Sequence, residues 1–181
     1  MIVSIITKDI YREKLNKNVC DQSKDWILDK QKKFSDNSWQ CKIRTSYSLV
    51  SNILNAPELR ELKFHVLSNI ENYMHEINNY IDGYIKNSWV NVYEKEFYQE
   101  FHTHKSYTEK NLSGVLYLSD NNSEIEFEVN RRTVIKPEYG DILIFADDLP
   151  HRVLPNQNDD LRISLAFNYK LCNQSKDIFN F

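Results

Sequence analysis

The segment EFHTHKS, residues 100–106, places His102 and His104 two positions apart. Side chains on a strand alternate between faces, so positions i and i+2 share one. Read as extended chain, this stretch projects two imidazoles side by side, and imidazole is a common ligand for iron, zinc and copper. Alone, an H-x-H pair fits a polar surface as well as a metal. A third histidine shifts the balance: His151 stands in DDLPHRVLP, directly after the apolar run DILIFA. If strands remote in sequence lie face to face, all three rings reach one ion. Arg162 follows in LRISLAFNY, where Leu161, Ile163 and Leu165 share one strand face and Arg162, Ser164 and Ala166 the other. A guanidinium turned into an interior is costly without an anion, and its planar fork suits a carboxylate. The competing reading is a solvent-facing arginine on an edge strand.

These residues need a scaffold, and the chain divides into two kinds of sequence. Over residues 58–81, Leu59, Leu62, Val66, Leu67, Ile70, Tyr73, Met74, Ile77 and Ile81 recur in steps of three and four, which predicts an amphipathic helix. Pro57 suits its first turn, Asn55 is a candidate cap, and Gly83 is the expected stop. A second helix is predicted near 18–33, around Trp26, Ile27 and Leu28, and a strand could open at 39–50. From residue 87 the pattern changes. SWVNVYEKEF, EFHTH, LSGVLYLS, EIEFEV, TVIKP, GDILIFAD and LRISLAFNY are short, rich in β-branched and aromatic residues, and separated by turn signals such as DNNS and PEYGD. Seven or eight such strands suggest a sandwich or jelly roll. The expected organisation is one α+β domain: a mainly helical part over 1–86 packed on one sheet, a β core over 87–170, and a tail over 171–181 whose Phe179 and Phe181 pack on the helices or on a neighbour.

Composition narrows the function classes. Of the 181 residues 41% are hydrophobic, so one domain can bury a substantial core. The net charge of -3 offers no general attraction for nucleic acid. Cys20, Cys41 and Cys172 form neither a CxxC pair nor a disulfide framework, which points to a reducing, cytoplasmic setting. The start MIVSIITKDIYREK lacks the features of a signal peptide, and no apolar run approaches the roughly 20 residues of a membrane span. His65 and His75 sit on the predicted long helix among Lys63, Glu71 and Glu76 and read as solvated surface. Arg131, Arg132 and Lys136 read as a solvated turn.

Taken in order, FHTHKSYTEKNLSGVLYLSD, IEFEV and IKPEYGDILIFADDLPHRVLPNQNDDLRISLAFNY resemble the iron(II)- and 2-oxoglutarate-dependent dioxygenase superfamily over residues 87–169. That family's core reads H-x-D or H-x-E, a strand ending in Tyr-Leu, a P-x-x-G-D turn, a distal histidine, and Arg-x-Ser some ten residues later. The resemblance implies a double-stranded β-helix (a cupin-like jelly roll), an Fe(II) centre, and 2-oxoglutarate converted with O2 to succinate and CO2. It assigns His102 and His151 to the metal. It assigns Arg162 to the far carboxylate of 2-oxoglutarate, with Ser164 as the serine of Arg-x-Ser, Tyr117 of GVLYL as a phenol donor to that carboxylate, and Asn91 and Tyr93 of NVY as contacts to the cosubstrate.

The sequence departs from the family at one position, because His104 stands where H-x-D carries its carboxylate. Three ways of completing the site follow: His104 as third ligand, water or halide in the vacancy, or Glu100 supplying a carboxylate. His104 is favoured because it occupies the expected position. The implied substrate is a small molecule or a peptidyl group, with no membrane partner, nucleic acid ranked lower, and a homodimer compatible with the tail. Two other classes compete. A three-histidine cupin-like metalloprotein would give Arg162 no cosubstrate to hold. A non-catalytic jelly-roll binding protein would give His102, His104 and His151 no reason to converge.

Overall fold

The computed structural model describes residues 9–36, 41–79, 82–104, 111–120, 124–128 and 132–172. In chain order the elements are β1 (Tyr11–Lys14), α1 (Lys17–Lys30), β2 (Ser35–Asp36), β3 (Arg44–Thr45), α2 (Arg60–Glu76), β4 (Gly83–Tyr93), β5 (Gln99–His102), β6 (Leu112–Tyr117), β7 (Ile125–Glu128), β8 (Arg132–Ile135), β9 (Asp141–Ala146), β10 (His151–Val153) and β11 (Arg162–Leu171). Seven strands form one sheet in the order β1-β9-β6-β11-β4-β3-β2, and four form a second, β5-β10-β7-β8. All strand pairs are antiparallel. Two helices on a pair of facing sheets make the expected α+β jelly roll.

The alternation of β11 divides the interior. Ile163, Leu165, Phe167 and Tyr169 join Leu62, Val66, Ile70 and Tyr73 of α2 and Val19 and Ile27 of α1 in the largest core. That core seals the outer face of the large sheet. A second cluster, with Val115, Phe127, Leu143, Phe145 and Leu149, fills the space between the sheets. One side of the large sheet is therefore packed by helices and the other faces the small sheet. Gly114 belongs to this arrangement: it pairs with Phe167, and a Cβ there would fall 2.1 Å from the Phe167 ring.

Several boundaries differ from the sequence expectation. The long helix begins with a 3-10 turn at Pro57–Leu59 and its α-helical part ends at Glu76, well before Gly83. Asn78 stops it, with φ of 50°. Its N–H donates to His75 O, and the N–H of Asn79 donates to Met74 O. This is the paired hydrogen-bond closure of a left-handed C-terminal cap, a conformation asparagine tolerates. Gly83 instead opens β4. The first helix is α1, and its cap is Asn16, whose side chain accepts from Asn18 N at 2.9 Å. Of the strand expected over 39–50, two residues pair, as β3. The short β1, β2 and β3 extend the large sheet at both edges, and β10 is a three-residue strand flanked by Pro150 and Pro155. Ile81, Arg131, Phe179 and Phe181 lie outside the described residues. His75 is exposed and His65 half-buried on α2, in keeping with a helix surface. Among the described residues Cys20, Cys41 and Cys172 form no disulfide, and no helix is long and apolar enough to cross a membrane.

Candidate metal and cosubstrate site

Strand pairing brings the histidines together. His102 on β5 lies opposite His151 on β10, and His104 follows just past the end of β5. The backbone N–H of His104 donates to Asp147 O at 2.8 Å, which ties this exit to the end of β9. The ring centroids are 5.1 Å apart for His102–His104, 4.3 Å for His102–His151 and 5.2 Å for His104–His151. One ligand atom from each lies within 4.8 Å of the others, so the three could hold one ion.

The hydrogen bonds select the same nitrogen on all three rings. His102 Nδ1 faces Glu100 O at 2.8 Å, His151 Nδ1 faces Leu149 O at 2.9 Å, and His104 Nδ1 faces Asn168 Oδ1 at 2.6 Å. Each acceptor is a carbonyl oxygen, so each Nδ1 carries the proton and each Nε2 presents its lone pair. Metal-binding imidazoles are held by this kind of outer contact. Burial, the largest cause, pushes all three ring pKa values below the usual histidine range. That of His104 falls to about 4, with the neighbouring His102 adding to the effect, and His151 is held well down by burial and by both other rings. The rings are neutral at pH 7, the form that binds a metal.

A stability prediction follows from these shifts. In the unfolded chain the histidines take up protons near pH 6.5, whereas the folded protein resists protonation to lower pH. Below about pH 6.5 the unfolded state binds more protons, so stability present above that value is lost as pH falls towards about 4. Thermal denaturation of metal-free protein should show a falling melting temperature between pH 7 and 5. His104→Gln should flatten that dependence.

Opposite the histidines, β11 aligns the cosubstrate candidates in rows across the large sheet. Arg162 pairs with Tyr93, and Ser164 lies between Asn91 and Tyr117. Ala166 and Asn168 follow on the same face, paired with Trp89 and Asn87 on β4 and with Val115 and Ser113 on β6. Arg162 is 1% exposed. The competing solvent-facing reading is therefore wrong: the chain turns this residue into the space between the sheets. Its guanidinium carbon lies 5.1 Å from the Tyr93 ring centroid and 5.3 Å from that of Tyr117. Among the described residues its Nε and Nη1 are buried with no hydrogen-bond partner, as is the Tyr117 hydroxyl. Burial raises the phenol pKa of Tyr93 and takes that of Tyr117 to about 12, so both remain protonated donors. All eight residues singled out from the sequence line one cavity.

The structure also removes one option for the third ligand. Across β10, two steps from His151 to Val153 match three steps from His102 to Gln99. The extra residue is a β-bulge, which resets the alternation of faces. Gln99, not Glu100, therefore shares the inward face with His102. Gln99 Nε2 lies 3.3 Å from His102 Nε2, and its Oε1 accepts from Tyr93 OH at 3.0 Å. Glu100 stands outside the group of three histidines that could hold a metal ion among the described residues, and His104 belongs to it. Asn168, Ser113 and Gln99 are functional neighbours that the sequence reading missed. Asn168 could have been found by extending the alternation of Arg162, Ser164 and Ala166 by one step. Gln99 could not, because a bulge leaves no periodic mark.

A family model described as "Putative 2OG-Fe(II) oxygenase" matches residues 120–168. That segment contains His151, Arg162 and Ser164. Solved structures match over nearly the whole chain. A prolyl-4-hydroxylase from Pseudomonas putida shares 12% identity with a TM-score of 0.69, covering 91% of this chain and 93% of its own. A prolyl hydroxylase from Trichoplax adhaerens, in complex with a hypoxia-inducible-factor peptide, shares 14% with a TM-score of 0.69, covering 91% and 84%. The 2-oxoglutarate-dependent carbocyclase SnoK from nogalamycin biosynthesis also aligns, at 13% identity and a TM-score of 0.68, covering 90% and 79%. The chain has the fold of these three structures. No curated protein sequence matches significantly.

The donor set fits the cofactors that this oxygenase fold implies. Three neutral imidazoles whose Nε2 atoms carry lone pairs, that of His102 facing Gln99 Nε2, suit Fe(II), and a buried guanidinium with two nitrogens unpartnered among the described residues, beside a phenol, suits a carboxylate. Free space inside the cavity is about 30 Å³, and Gln99 bridges Tyr93 and His102 at its wall.

Asn168 offers a direct test of the histidine geometry. It accepts from His104 and donates to Asn87 Oδ1 at 2.9 Å, with Ser113 Oγ 3.0 Å from both His104 Nδ1 and Asn168 Oδ1. Removing such an outer partner lowers metal affinity about 10- to 100-fold in comparable sites. Asn168→Ala should therefore bind Co(II) that much more weakly in a spectroscopic titration, with the circular dichroism of the fold unchanged.

Proposed function

We propose that the protein is an Fe(II)- and 2-oxoglutarate-dependent oxygenase that hydroxylates a small-molecule or peptidyl substrate, with its metal held by three histidines. One observation carries this reading: three imidazoles present their Nε2 lone pairs into the same cavity in which buried Arg162 lacks an anion. A cupin-like site without cosubstrate leaves that guanidinium unexplained.

His102, His104 and His151 would hold Fe(II), which supplies the oxygen-activating redox chemistry that amino-acid side chains lack. The protein's own part is positional. Arg162 orients the far carboxylate of the cosubstrate, and the Tyr117 hydroxyl donates a second hydrogen bond to it. Ser164, in the adjacent row, completes a polar floor. Asn168 and the carbonyls of Glu100 and Leu149 keep the imidazole protons on Nδ1, away from the metal side. Val115, Phe145 and Val153 line the rest of the cavity and exclude water. A histidine in place of the usual carboxylate removes one negative charge from the ligand set, so binding of a dianionic cosubstrate is favoured electrostatically.

Anaerobic addition of Fe(II) and then 2-oxoglutarate tests the proposal. A visible charge-transfer band should appear only with both, and Arg162→Ala should lose it. No band, together with no succinate formed in air, would sink the reading. Hydroxylation itself is checked by the mass gain of one oxygen atom in a substrate.

A further inference from the structure

Outside the inner cavity, on the open side of His102 and His104, lies a vestibule of about 380 Å³. Tyr47, Lys86, Trp89 and Glu100 line it, with Asn87 and Asn168 at the level of His104. Its size suits a small ligand or one side chain. Two of its residues carry buried polar atoms without partners among the described residues: the Glu100 Oε2 acceptor and the Trp89 Nε1 donor. Trp89 is 4% exposed and is in contact with His104, ring centroids 5.6 Å apart. Among the described residues Glu100 forms no ion pair. A buried carboxylate oxygen without a donor is costly, and the bulge in β5 is what places Glu100 there rather than at the metal.

We propose that this vestibule is the substrate site and that it selects substrates bearing a protonated amine, a deepening that rests on the oxygenase reading above. The ammonium donates to Glu100 Oε2. Trp89 Nε1 donates to an oxygen elsewhere on the same substrate. The Tyr47 and Trp89 rings, edge to face at 5.1 Å, wall the passage with aromatic surface that favours a cation. Lys86 is exposed at the rim, where water screens its charge. The amine is an anchor remote from the reacting carbon, which points inward to the histidines.

The same group occurs on free amines and on lysyl side chains, and binding to metal-free protein separates the two sources. Intrinsic tryptophan fluorescence is followed during titration with n-butylammonium, with the isosteric 1-butanol and butyrate, and with the peptide acetyl-Gly-Lys-Gly-amide. A saturable response to the free amine or the peptide is expected, with butanol weaker and butyrate silent. Response to the amine identifies a small-molecule substrate, and response to the peptide alone a lysyl one. Loss of one charge-assisted hydrogen bond corresponds to about tenfold in affinity, so Glu100→Gln should weaken the amine by about that factor and leave butanol unchanged. Glu100→Lys should transfer the response to butyrate. Equal binding of butyrate by the wild type, indifference to Glu100→Gln, or no response to either amine would overturn the inference. If those failures accompany a normal Fe(II)/2-oxoglutarate band in the wild type, the oxygenase reading stands without this specificity.

Discussion

Arg162→Met should weaken 2-oxoglutarate binding about a hundredfold while raising the melting temperature of the ligand-free protein. Both effects come from the same unpaired charge. With cosubstrate bound, a buried guanidinium meets a carboxylate, and truncating one partner of such a pair costs about 2–5 kcal/mol, or roughly 30-fold to several-thousand-fold in affinity. Without it, Nε and Nη1 of Arg162 are buried with no acceptor, a penalty of about 1–3 kcal/mol for each such group. The Tyr93 and Tyr117 rings offset part of that cost. Methionine has similar length, removes the unsatisfied donors, and packs well against aromatic rings. A gain of 1 kcal/mol shifts the melting temperature by about 2–4 °C in a protein of this size, so the ligand-free variant should melt several degrees higher. Isothermal titration with 2-oxoglutarate and a thermal melt on the same sample measure both halves. A variant that loses stability together with affinity would mean that Arg162 is a structural residue.

The second large effect belongs to His151. Of the three histidines it is the most enclosed, 5% exposed on the central strand pair of the small sheet. Structural zinc sites with four ligands bind with about 10–16 kcal/mol, so one ligand is worth about 3 kcal/mol or more, over a hundredfold in affinity. His151→Ala should lower Fe(II) and Co(II) affinity by at least that factor and abolish the charge-transfer band. It also leaves a void beside Phe127 and Phe145, whose rings lie 5.8 and 4.8 Å from the imidazole, and so loses stability. His151→Gln, which fills more of that space, separates the two consequences: metal binding should stay lost while most stability returns. Metal binding that survives in both variants would show that the three rings do not share an ion.

What the sequence determined by itself was the chemistry and the class of scaffold. Residue type and period-two alternation sufficed to place Arg162, Ser164 and Ala166 on one face of a strand and the apolar residues of α2 on one stripe, because those patterns are local consequences of backbone geometry. The ordered motifs then brought the histidines, the arginine and the tyrosines into one site. Pairing decided the rest. β10 is too short to announce itself and exists because His151 pairs with both His102 and Phe127. The end of α2 was set by Asn78 in a left-handed conformation, not by the glycine that sequence statistics favour. Sequence position favoured His104, but that Glu100 does not share the inward face of His102 could not be read from spacing, since a single extra residue in β5 reverses which side chains face inward. Asn168, well over half a hundred residues along the chain from His104, orients it across the sandwich. Contacts between strands far apart in sequence leave no periodic trace within either strand, so only the folded arrangement could show which oxygen faces which imidazole.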